Sequence, residues 1–166
     1  MIVNIALLTV TDTRTFDNDK SGAILVEKIK EAKHNLIDRK ICKDNKKDIV
    51  LILKEWINKD DIDVVITTGG TGLTGRDITP EAVSEIAEKQ IPGFGEIFRN
   101  ISLKTVGTSA IQSRACAVLA KGKYIFALPG SSGGVTDAWE GILKYQLDIN
   151  HKPCNFVELF PRLKEK

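Results

Sequence analysis

Residues 67–77 form the stretch of this chain that is best suited to holding a phosphate group. The stretch ends in Arg76 and Asp77 and carries four glycines, namely Gly69, Gly70, Gly72 and Gly75. Glycines let an anion approach the backbone closely and leave the N–H groups unobstructed. A helix predicted to begin with Thr79 as its N-cap, followed by Pro80, would add the partial positive charge of its N-terminus. The pattern predicts a phosphate-binding loop, with a tight strand-to-helix turn as the alternative.

Three aspartates stand where predicted strands or loops end and could act together. Asp12 comes directly after the first predicted strand, Asp44 comes after the second, and Asp77 closes the glycine-rich stretch. Carboxylates at strand ends can hold Mg²⁺, which prefers oxygen ligands shared with substrate phosphates. Helix capping is the alternative role, and Asp44 is open to it because Lys46 and Lys47 then begin a predicted helix.

Other nucleotide and nucleophile motifs are either out of context or missing from the sequence. Residues 70–75 match the pattern G-x-G-x-x-G, but a dinucleotide site needs the last glycine inside a helix, and here the helix is predicted to begin only at Thr79. No G-x-x-x-x-G-K-[ST] motif occurs, and Ser113 does not lie in a G-x-S-x-G sequence. A nicotinamide-dependent oxidoreductase and a serine hydrolase are therefore disfavoured.

Histidines and cysteines are too sparse and too dispersed to suggest a transition-metal site. The sequence has two histidines, His34 and His151, and three cysteines, Cys42, Cys116 and Cys154. None of them forms a Cys-x-x-Cys pair or a cluster of metal ligands. We expect no zinc site, and we expect the cysteines to be reduced and partly buried.

Length and composition favour one globular domain over residues 1–166. The chain is 42% apolar and carries 24 basic and 22 acidic residues, which are interspersed and give a net charge of +2. These values argue against a disordered chain, and the absence of a basic stripe argues against nucleic-acid binding. No apolar run approaches the roughly 20 residues that span a bilayer. The first residues lack the features of a signal peptide, so we expect a cytoplasmic protein without membrane contact.

Strands and helices are predicted to alternate along the chain. Apolar runs predict strands over residues 3–10, 36–41, 64–67 and 124–128, with a short strand as one interpretation of residues 154–159. Helical spacing of apolar residues predicts helices over residues 21–32, from 44 to 57, 79–90, 94–103, 110–120 and 134–147. This alternation predicts an α/β fold, a three-layer α/β/α sandwich with a mainly parallel central sheet.

In such a sheet, ligands bind beyond the carboxyl ends of the strands. Loops 11–21, 69–77 and 129–134 each follow a predicted strand and are glycine-bearing or polar. We expect these three loops to meet at one edge of the sheet and to form the site.

Three stretches of sequence resemble the MoaB/MogA family of molybdenum cofactor biosynthesis proteins. They are residues 67–82 (TTGGTGLTGRDITPEA), 92–99 (PGFGEIFR) and 129–131 (PGS). The resemblance extends from about residue 3 to about residue 161, and residues 153–156 (PCNF) are similar to the MoaB branch. It implies a molybdopterin-binding α/β/α fold.

The resemblance also implies an activity and its substrates. The family's active members transfer an adenylyl group from Mg-ATP to the terminal phosphate of molybdopterin and release pyrophosphate. It implies Mg²⁺ and ATP as cofactor and co-substrate, molybdopterin as substrate, and a homotrimer or homohexamer that could contact other proteins of the pathway. Apolar Phe94, Ile97 and Phe98 could form a subunit interface or belong to the core.

Site residues follow from the same resemblance. Asp44 and Asp77 would be the catalytic pair and would hold Mg²⁺. The nucleotide would bind to Gly69, Gly70, Thr71 and Gly72. The pterin and its phosphate would bind to Thr11, Asp12, Ser21, Gly22, Ser113, Arg114, Pro129, Gly130 and Ser131. Independently of the family, arginines 76, 99 and 114 could pair with phosphates, although a salt bridge is an equal alternative for Arg99.

One departure from the family pattern opens a second interpretation. Many active members read Pro-Gly-Asn-Pro where this chain reads Pro129-Gly130-Ser131-Ser132, which removes an amide side chain and a rigid proline. A serine can still contact phosphate, so binding remains compatible with the sequence. The alternative function is a noncatalytic molybdopterin-binding or scaffold protein of the same pathway.

Overall fold

The computed structural model describes residues 1–165, in which strands and helices alternate. The strands are β1 (Asn4–Val10), β2 (Asn35–Cys42), β3 (Val64–Thr68), β4 (Lys89–Gln90), β5 (Cys116–Ala120) and β6 (Lys123–Leu128). The helices are α1 (Lys20–Glu31), α2 (Lys46–Ile57), α3 (Thr79–Ile86), α4 (Pro92–Val106), α5 (Ser132–Ala138) and α6 (Lys144–Gln146). A π-helical turn (Trp139–Leu143) joins α5 to α6, and 3₁₀ turns cover Gly107–Gln112 and Val157–Arg162.

The six strands form one sheet in the order β2-β1-β3-β6-β5-β4. Strands β2, β1, β3 and β6 are parallel, whereas β5 runs antiparallel to both of its neighbours. The register places Thr68 opposite Thr9 on one side and Leu128 on the other. Strands β1, β3 and β6 therefore end at the same level, and the predicted α/β/α architecture with a mainly parallel sheet is confirmed.

Strands β1, β3 and β6 are buried on both faces, which explains their continuous apolar sequences, whereas the edge strand β2 is only partly buried. In β1, Ile5 and Leu7 pack into a cluster with side chains of α1, α4 and α5. The alternate residues Ala6 and Leu8 pack into a second cluster with side chains of α2 and α3. Each helical layer thus covers one face of the sheet, and the carboxyl ends of the strands stay open between the layers.

The apolar residues of helix α4 divide between the core and the surface. Phe94 and Phe98 are buried and contact the core, where Phe94 packs against Phe126 with ring centroids 5.2 Å apart. Ile97, in contrast, is 54% exposed. The two phenylalanines therefore belong to the core, and Ile97 lies on the surface.

In the region before β6, one predicted helix is shorter than expected and another is not a helix. The helix predicted over residues 79–90 ends at Ile86, and Lys89–Gln90 form the short strand β4. The helix predicted over residues 110–120 is a 3₁₀ turn followed by β5, whose residues are small and apolar. A short apolar run buried on both faces of a sheet has no distinguishing period, so spacing alone cannot separate it from a helix.

The C-terminal tail also differs from the prediction. Residues 154–159 do not form a strand; the 3₁₀ turn Val157–Arg162 brings Phe156 and Phe160 against Tyr124 at the end of the core. Aromatic packing rather than strand pairing therefore accounts for the apolar residues there. Within residues 1–165, no helix combines the length and the apolar character that crossing a membrane would require.

Candidate functional site

The turns that follow β1, β3 and β6 converge at one edge of the sheet, as predicted. Gly69 has a φ of +102°, and a Cβ there would overlap the carbonyl oxygen of Val10. A Cβ on Gly130 would lie 3.2 Å from the Cα of Gly69. The Gly69 N–H donates to the Leu128 carbonyl over 3.0 Å, and the Thr68 hydroxyl donates to the Pro129 carbonyl over 2.8 Å. Side-chain-free backbone is thus required where the three turns meet.

Thr79 fixes the glycine-rich loop rather than capping α3. Its side chain is completely buried, its hydroxyl donates to the Gly69 carbonyl over 2.8 Å, and its N–H donates to the Gly70 carbonyl over 3.0 Å. The helix has no side-chain cap, and the capping position is taken by Ile78. The expectation that Thr79 is an N-cap was therefore wrong, because its hydroxyl is turned toward the loop.

Asp44 stands beside this loop and is free of a capping role. Asn45 caps α2 by accepting from the N–H groups of Lys47 and Asp48. The capping alternative for Asp44 was therefore wrong. A Cβ on Gly70, which has a φ of +68°, would lie 2.9 Å from Oδ1 of Asp44.

The electrostatic surroundings of Asp44 are acidic. Its N–H donates to Oδ1 of Asp12 over 3.2 Å, which brings the two carboxylates close together. Partial burial, followed by the negative charge of Asp12, raises the pKa of Asp44, and Asp77 adds to the effect. The site therefore holds negative charge that a bound cation would stabilise.

Asp77 lies on the same loop as Gly70 and closes it with hydrogen bonds. Its Oδ2 accepts from the N–H and the hydroxyl of Thr74, over 2.8 and 2.7 Å. A Cβ on Gly72 would lie 2.8 Å from this oxygen. Burial alone would raise the pKa of Asp77, but the hydrogen bonds from Thr74 and the Gly72 N–H hold it below its usual value. Asp44 and Asp77 thus flank one short stretch of glycine-rich backbone.

Arg76 joins the loop after β3 to the loop after β1. Its Nε and Nη2 donate to both carboxylate oxygens of Asp12 over 2.8–2.9 Å. The Arg76 guanidinium therefore lowers the pKa of Asp12. The Arg76 side chain is 66% exposed, so this pair lies at the mouth of the site.

Arg114 and Arg99 contact main-chain carbonyls. The Arg114 guanidinium donates to the carbonyls of Gly72 and Asp77 over 2.7 and 3.0 Å, and it pairs with Glu81. Arg99 donates to the carbonyls of Ser113 and Ala115. Neither arginine points a free guanidinium at the converging turns.

The residues expected on the pterin side divide into two groups. Ser113, Pro129 and Ser131 line a cleft of about 380 Å³ with residues of α4 and α5, including Asp137. Gly130 lies between this cleft and Gly69, and Ser131 also caps α5 by accepting from the Gly134 N–H over 3.1 Å.

The second group lies at the start of the chain, around a buried carboxylate that the sequence reasoning missed. Ser21 and Gly22 are buried and donate to Oδ1 of Asp19 over 3.3 and 2.9 Å. Oδ2 of Asp19 accepts from the Thr9 hydroxyl and from Arg39 over 2.7 and 3.0 Å. Ser21 and Gly22 therefore stabilise the Asp19 carboxylate, which lies at the end of the loop that follows β1. The signal was an Asp immediately before a helix, which is typical of an N-cap.

Thr11 shapes the beginning of the same loop. Its N–H donates to the Cys42 carbonyl over 2.8 Å, and its hydroxyl oxygen accepts from the N–H groups of Thr13 and Arg14, each over 3.3 Å. These contacts hold Asp12 at the edge of the site. Within residues 1–165, no three His, Cys, Asp or Glu side chains are grouped closely enough to hold a metal ion by themselves.

Comparison with known proteins identifies the family of this chain. A family described as "Probable molybdopterin binding domain" matches residues 6–148. Molybdenum cofactor biosynthesis protein B of Escherichia coli K12 is 44% identical over 161 residues, which cover 97% of this chain and 93% of the relative. The protein of the same name from Bacillus cereus is 45% identical over 146 residues, 87% of this chain and 86% of the relative.

Solved structures of molybdenum and tungsten cofactor proteins share the fold of this chain. A crystal structure of molybdenum cofactor biosynthesis protein B superposes with a TM-score of 0.90 at 40% identity and covers 100% of this chain and 98% of its own. The tungsten cofactor synthesizing protein MoaB from Pyrococcus furiosus superposes with a TM-score of 0.77 at 35% identity, covering 86% of this chain and 91% of its own. By sequence and by fold, the chain belongs to the MoaB/MogA family of molybdenum cofactor biosynthesis proteins.

Proposed function

We propose that the protein transfers the adenylyl group of ATP to the terminal phosphate of molybdopterin. The observation that carries this proposal is the position of two carboxylates, Asp44 and Asp77, on either side of one glycine-rich loop. Membership of the molybdenum cofactor biosynthesis family makes molybdopterin the substrate to expect.

The reaction is a displacement at phosphorus and needs no covalent nucleophile from the protein. A terminal phosphate oxygen of molybdopterin attacks the α-phosphorus of ATP and forms a new P–O bond. The bond from that phosphorus to the α,β-bridging oxygen breaks, and pyrophosphate leaves with the electron pair. Such reactions depend on alignment and on the stabilisation of negative charge. A site built from backbone N–H groups and aspartates suits these requirements.

The glycine-rich loop would bind and orient the triphosphate. The Gly69 N–H already donates to the Leu128 carbonyl. The N–H groups of Gly70 and Thr71, in contrast, donate to no acceptor within residues 1–165. Phosphate oxygens would accept hydrogen bonds from these groups, because a glycine without a Cβ lets the ligand come within hydrogen-bonding distance.

Asp44 and Asp77 fit the role of Mg²⁺ ligands. Both supply carboxylate oxygens, and the pKa of Asp44 is raised by partial burial and then by the negative charge of Asp12, a charge that a divalent cation would offset. When bound, Mg²⁺ neutralises part of the charge of the triphosphate. The hydrogen bonds from Thr74 would keep Asp77 ionised and oriented toward the ligand.

The cleft beside the loop would hold molybdopterin. Ser113 and Ser131 line it, and both hydroxyl groups could donate to a phosphate. Ser131 accepts from the Gly134 N–H, but its own hydroxyl hydrogen remains available for a ligand. Phosphate binding is therefore compatible with Ser131-Ser132, although the family's Asn-Pro is missing.

The direct test is product formation by the purified protein. Incubation with molybdopterin, ATP and Mg²⁺ should yield pyrophosphate and adenylated molybdopterin in equal amounts. A parallel reaction without Mg²⁺ should yield neither. An active homologue assayed beside it provides the control, and the proposal fails if only the homologue forms product.

A noncatalytic molybdopterin-binding protein is the second candidate function. The replacement of the family's Asn-Pro by Ser131-Ser132 favours it, because a changed turn could bind phosphate without aligning it. Calorimetry distinguishes the two candidates: a binding protein takes up molybdopterin but shows no heat with Mg-ATP, whereas the enzyme binds both.

A further inference from the structure

We infer that Arg114 positions the catalytic carboxylate Asp77 and is not itself a ligand for a substrate phosphate. This inference rests on the proposed function, since it assigns Arg114 a task within that site. The resemblance to the family implied the opposite role, a direct contact on the pterin side. The contacts of the Arg114 side chain and backbone support the positioning role.

Arg114 holds the glycine-rich loop at both ends of residues 72–77. Its Nε donates to the Gly72 carbonyl over 2.7 Å, and its Nη2 donates to the Asp77 carbonyl over 3.0 Å. Its main-chain N–H adds a third bond, to the Thr71 carbonyl, over 2.9 Å. A planar guanidinium presents its donors in a fixed geometry, so these bonds set the distance between the two ends of the loop.

No nitrogen of the guanidinium is left without a protein partner. Nη1 pairs with Glu81, which lies in the first turn of α3, and Nε and Nη2 contact the loop. The Arg114 side chain is 30% exposed. A phosphate could bind it in the fork-like manner of free arginines only by breaking bonds that shape the loop.

The backbone around Arg114 is itself anchored. Arg99 of α4 donates to the carbonyls of Ser113 and Ala115, on either side of Arg114. Ser113 has an extended backbone with a φ of −80° and a ψ of 126°. Neighbouring side chains of an extended segment point to opposite sides. Accordingly, Ser113 lines the cleft, whereas Arg114 faces the loop.

Arg114 therefore links α4 and the cleft to the loop that carries Asp77. If Arg114 were a phosphate ligand, its charge would matter most and a lysine would preserve much of its effect. If it is a positioning residue, the forked geometry matters most, and a lysine cannot contact both carbonyls in the same way. The pair Arg114→Lys and Arg114→Ala separates these two roles.

The experiment combines amide hydrogen exchange of the ligand-free protein with ligand affinities and turnover. The N–H groups of Thr74, Asp77 and Thr79 report on the loop, because each is hydrogen-bonded within it. Arg162→Ala removes a guanidinium that pairs with Glu165 in the C-terminal tail, and it serves as the control for loss of charge. Thermal unfolding of every variant establishes that it is folded.

Both Arg114 variants should exchange these amides about tenfold faster than the wild type, whereas Arg162→Ala should not. Their kcat should fall by about 10- to 100-fold, because the carboxylate is no longer held in place. Their Kd for molybdopterin should stay within about twofold of the wild type. Glu81→Gln, which keeps the arginine but weakens its orientation, should change kcat in the same direction by less.

Two results would overturn the inference. One is unchanged amide exchange in both Arg114 variants. The other is a molybdopterin Kd that weakens strongly in Arg114→Ala and recovers in Arg114→Lys, as a phosphate ligand would behave. If the wild type forms no adenylated product, the proposed function fails, but the exchange and affinity measurements still decide the role of Arg114.

Discussion

Oδ1 of Asp44 lies 2.9 Å from the point where a Cβ on Gly70 would stand. Asp44 follows β2 at one edge of the sheet, and Gly70 follows β3, with β1 between them. The contact therefore reaches across a strand and brings a carboxylate to the backbone expected to bind phosphate. A side chain at position 70 would therefore crowd the Asp44 carboxylate.

Substitution of Gly70 should damage both the fold and the site. Gly70→Ala places a Cβ at a φ of +68°, beside Thr79 and Asp44. We expect a loss of at least about 1 kcal/mol in the free energy of unfolding, and a marked loss of affinity for ATP. Gly75→Ala is the matched control, because a Cβ there has nothing within 4 Å. Denaturant unfolding and calorimetry measure the two effects, and equal behaviour of the two variants would contradict the prediction.

Removal of the Asp77 charge should reduce turnover without unfolding the loop. The amide oxygen that Asp77→Asn introduces can still accept from Thr74, so the loop should keep its shape. We expect kcat to fall by at least about tenfold, which corresponds to about 1.4 kcal/mol in the barrier. Steady-state kinetics over a range of Mg²⁺ concentrations measure it. Unchanged kinetics would reduce Asp77 to a loop-closing residue.

Asp44 should lower the stability of the free protein. Its pKa is raised in the folded state, so ionisation at neutral pH disfavours folding, and this cost is lost as the pH falls from the folded-state pKa to the ordinary value of 3.8. Asp44→Asn should therefore raise the free energy of unfolding at pH 7 while abolishing turnover, a trade-off common at functional sites. Urea denaturation at pH 7 is the measurement, with the wild type as reference. A destabilised variant would show that the Asp44 charge is satisfied in the free protein.

The buried Asp19 should make the first loop sensitive to acid. Burial would raise its pKa, but hydrogen bonds from Thr9, the Gly22 N–H and Arg39 hold it below the ordinary value of 3.8. Its contribution to stability is complete above pH 3.8 and is lost as the pH falls through the lower, folded-state pKa. Asp19→Asn should therefore flatten the fall in stability below about pH 4. Urea denaturation series from about pH 3 to 7 would refute the prediction if both proteins lost stability in parallel.

The Arg76–Asp12 pair should matter for ligand binding more than for folding. The pair is exposed, and exposed pairs contribute little to stability because water screens them. Arg76→Gln should leave the thermal midpoint nearly unchanged but should weaken ATP binding and reduce its dependence on salt, since Arg76 can exchange Asp12 for a phosphate. Calorimetry at two salt concentrations measures this. An ATP affinity equal to that of the wild type would exclude Arg76 from the site.

The convergence of the three loops was easier to predict from the sequence than some of the elements around them. Buried strands over residues 3–10, 64–67 and 124–128 were recognisable because they are covered on both faces, and the carboxyl-end rule then located the loops. The sequence predicts a helix where the structure has strand β5, because a short run of small apolar residues carries no period. The pairing of β5 with β6 depends on contacts that local sequence does not encode.

The roles of individual side chains were harder to predict than the location of the site. The spacing of Asp44 and Asp77 along the chain says nothing of their distance in space. Their positions at the ends of a strand and a loop suggested a cation site, and the resemblance to the family implied that the two residues form a pair. Arg114 has an orientation that depends on carbonyls far away in the sequence. The direction of the Arg114 side chain follows from tertiary packing. No local sequence pattern could therefore show whether this arginine binds a phosphate or positions the loop.

The close backbone contacts among Val10, Gly69 and Gly130 have a consequence for how such a protein can diversify. A Cβ on Gly69 would overlap the carbonyl oxygen of Val10, and a Cβ on Gly130 would crowd the Cα of Gly69, so this inner ring of backbone tolerates little change. Gly75 and Gly133, farther out, have open space around them. New substrate preferences in relatives, or in the laboratory, should therefore arise by remodelling the outer rim while the inner ring is inherited intact.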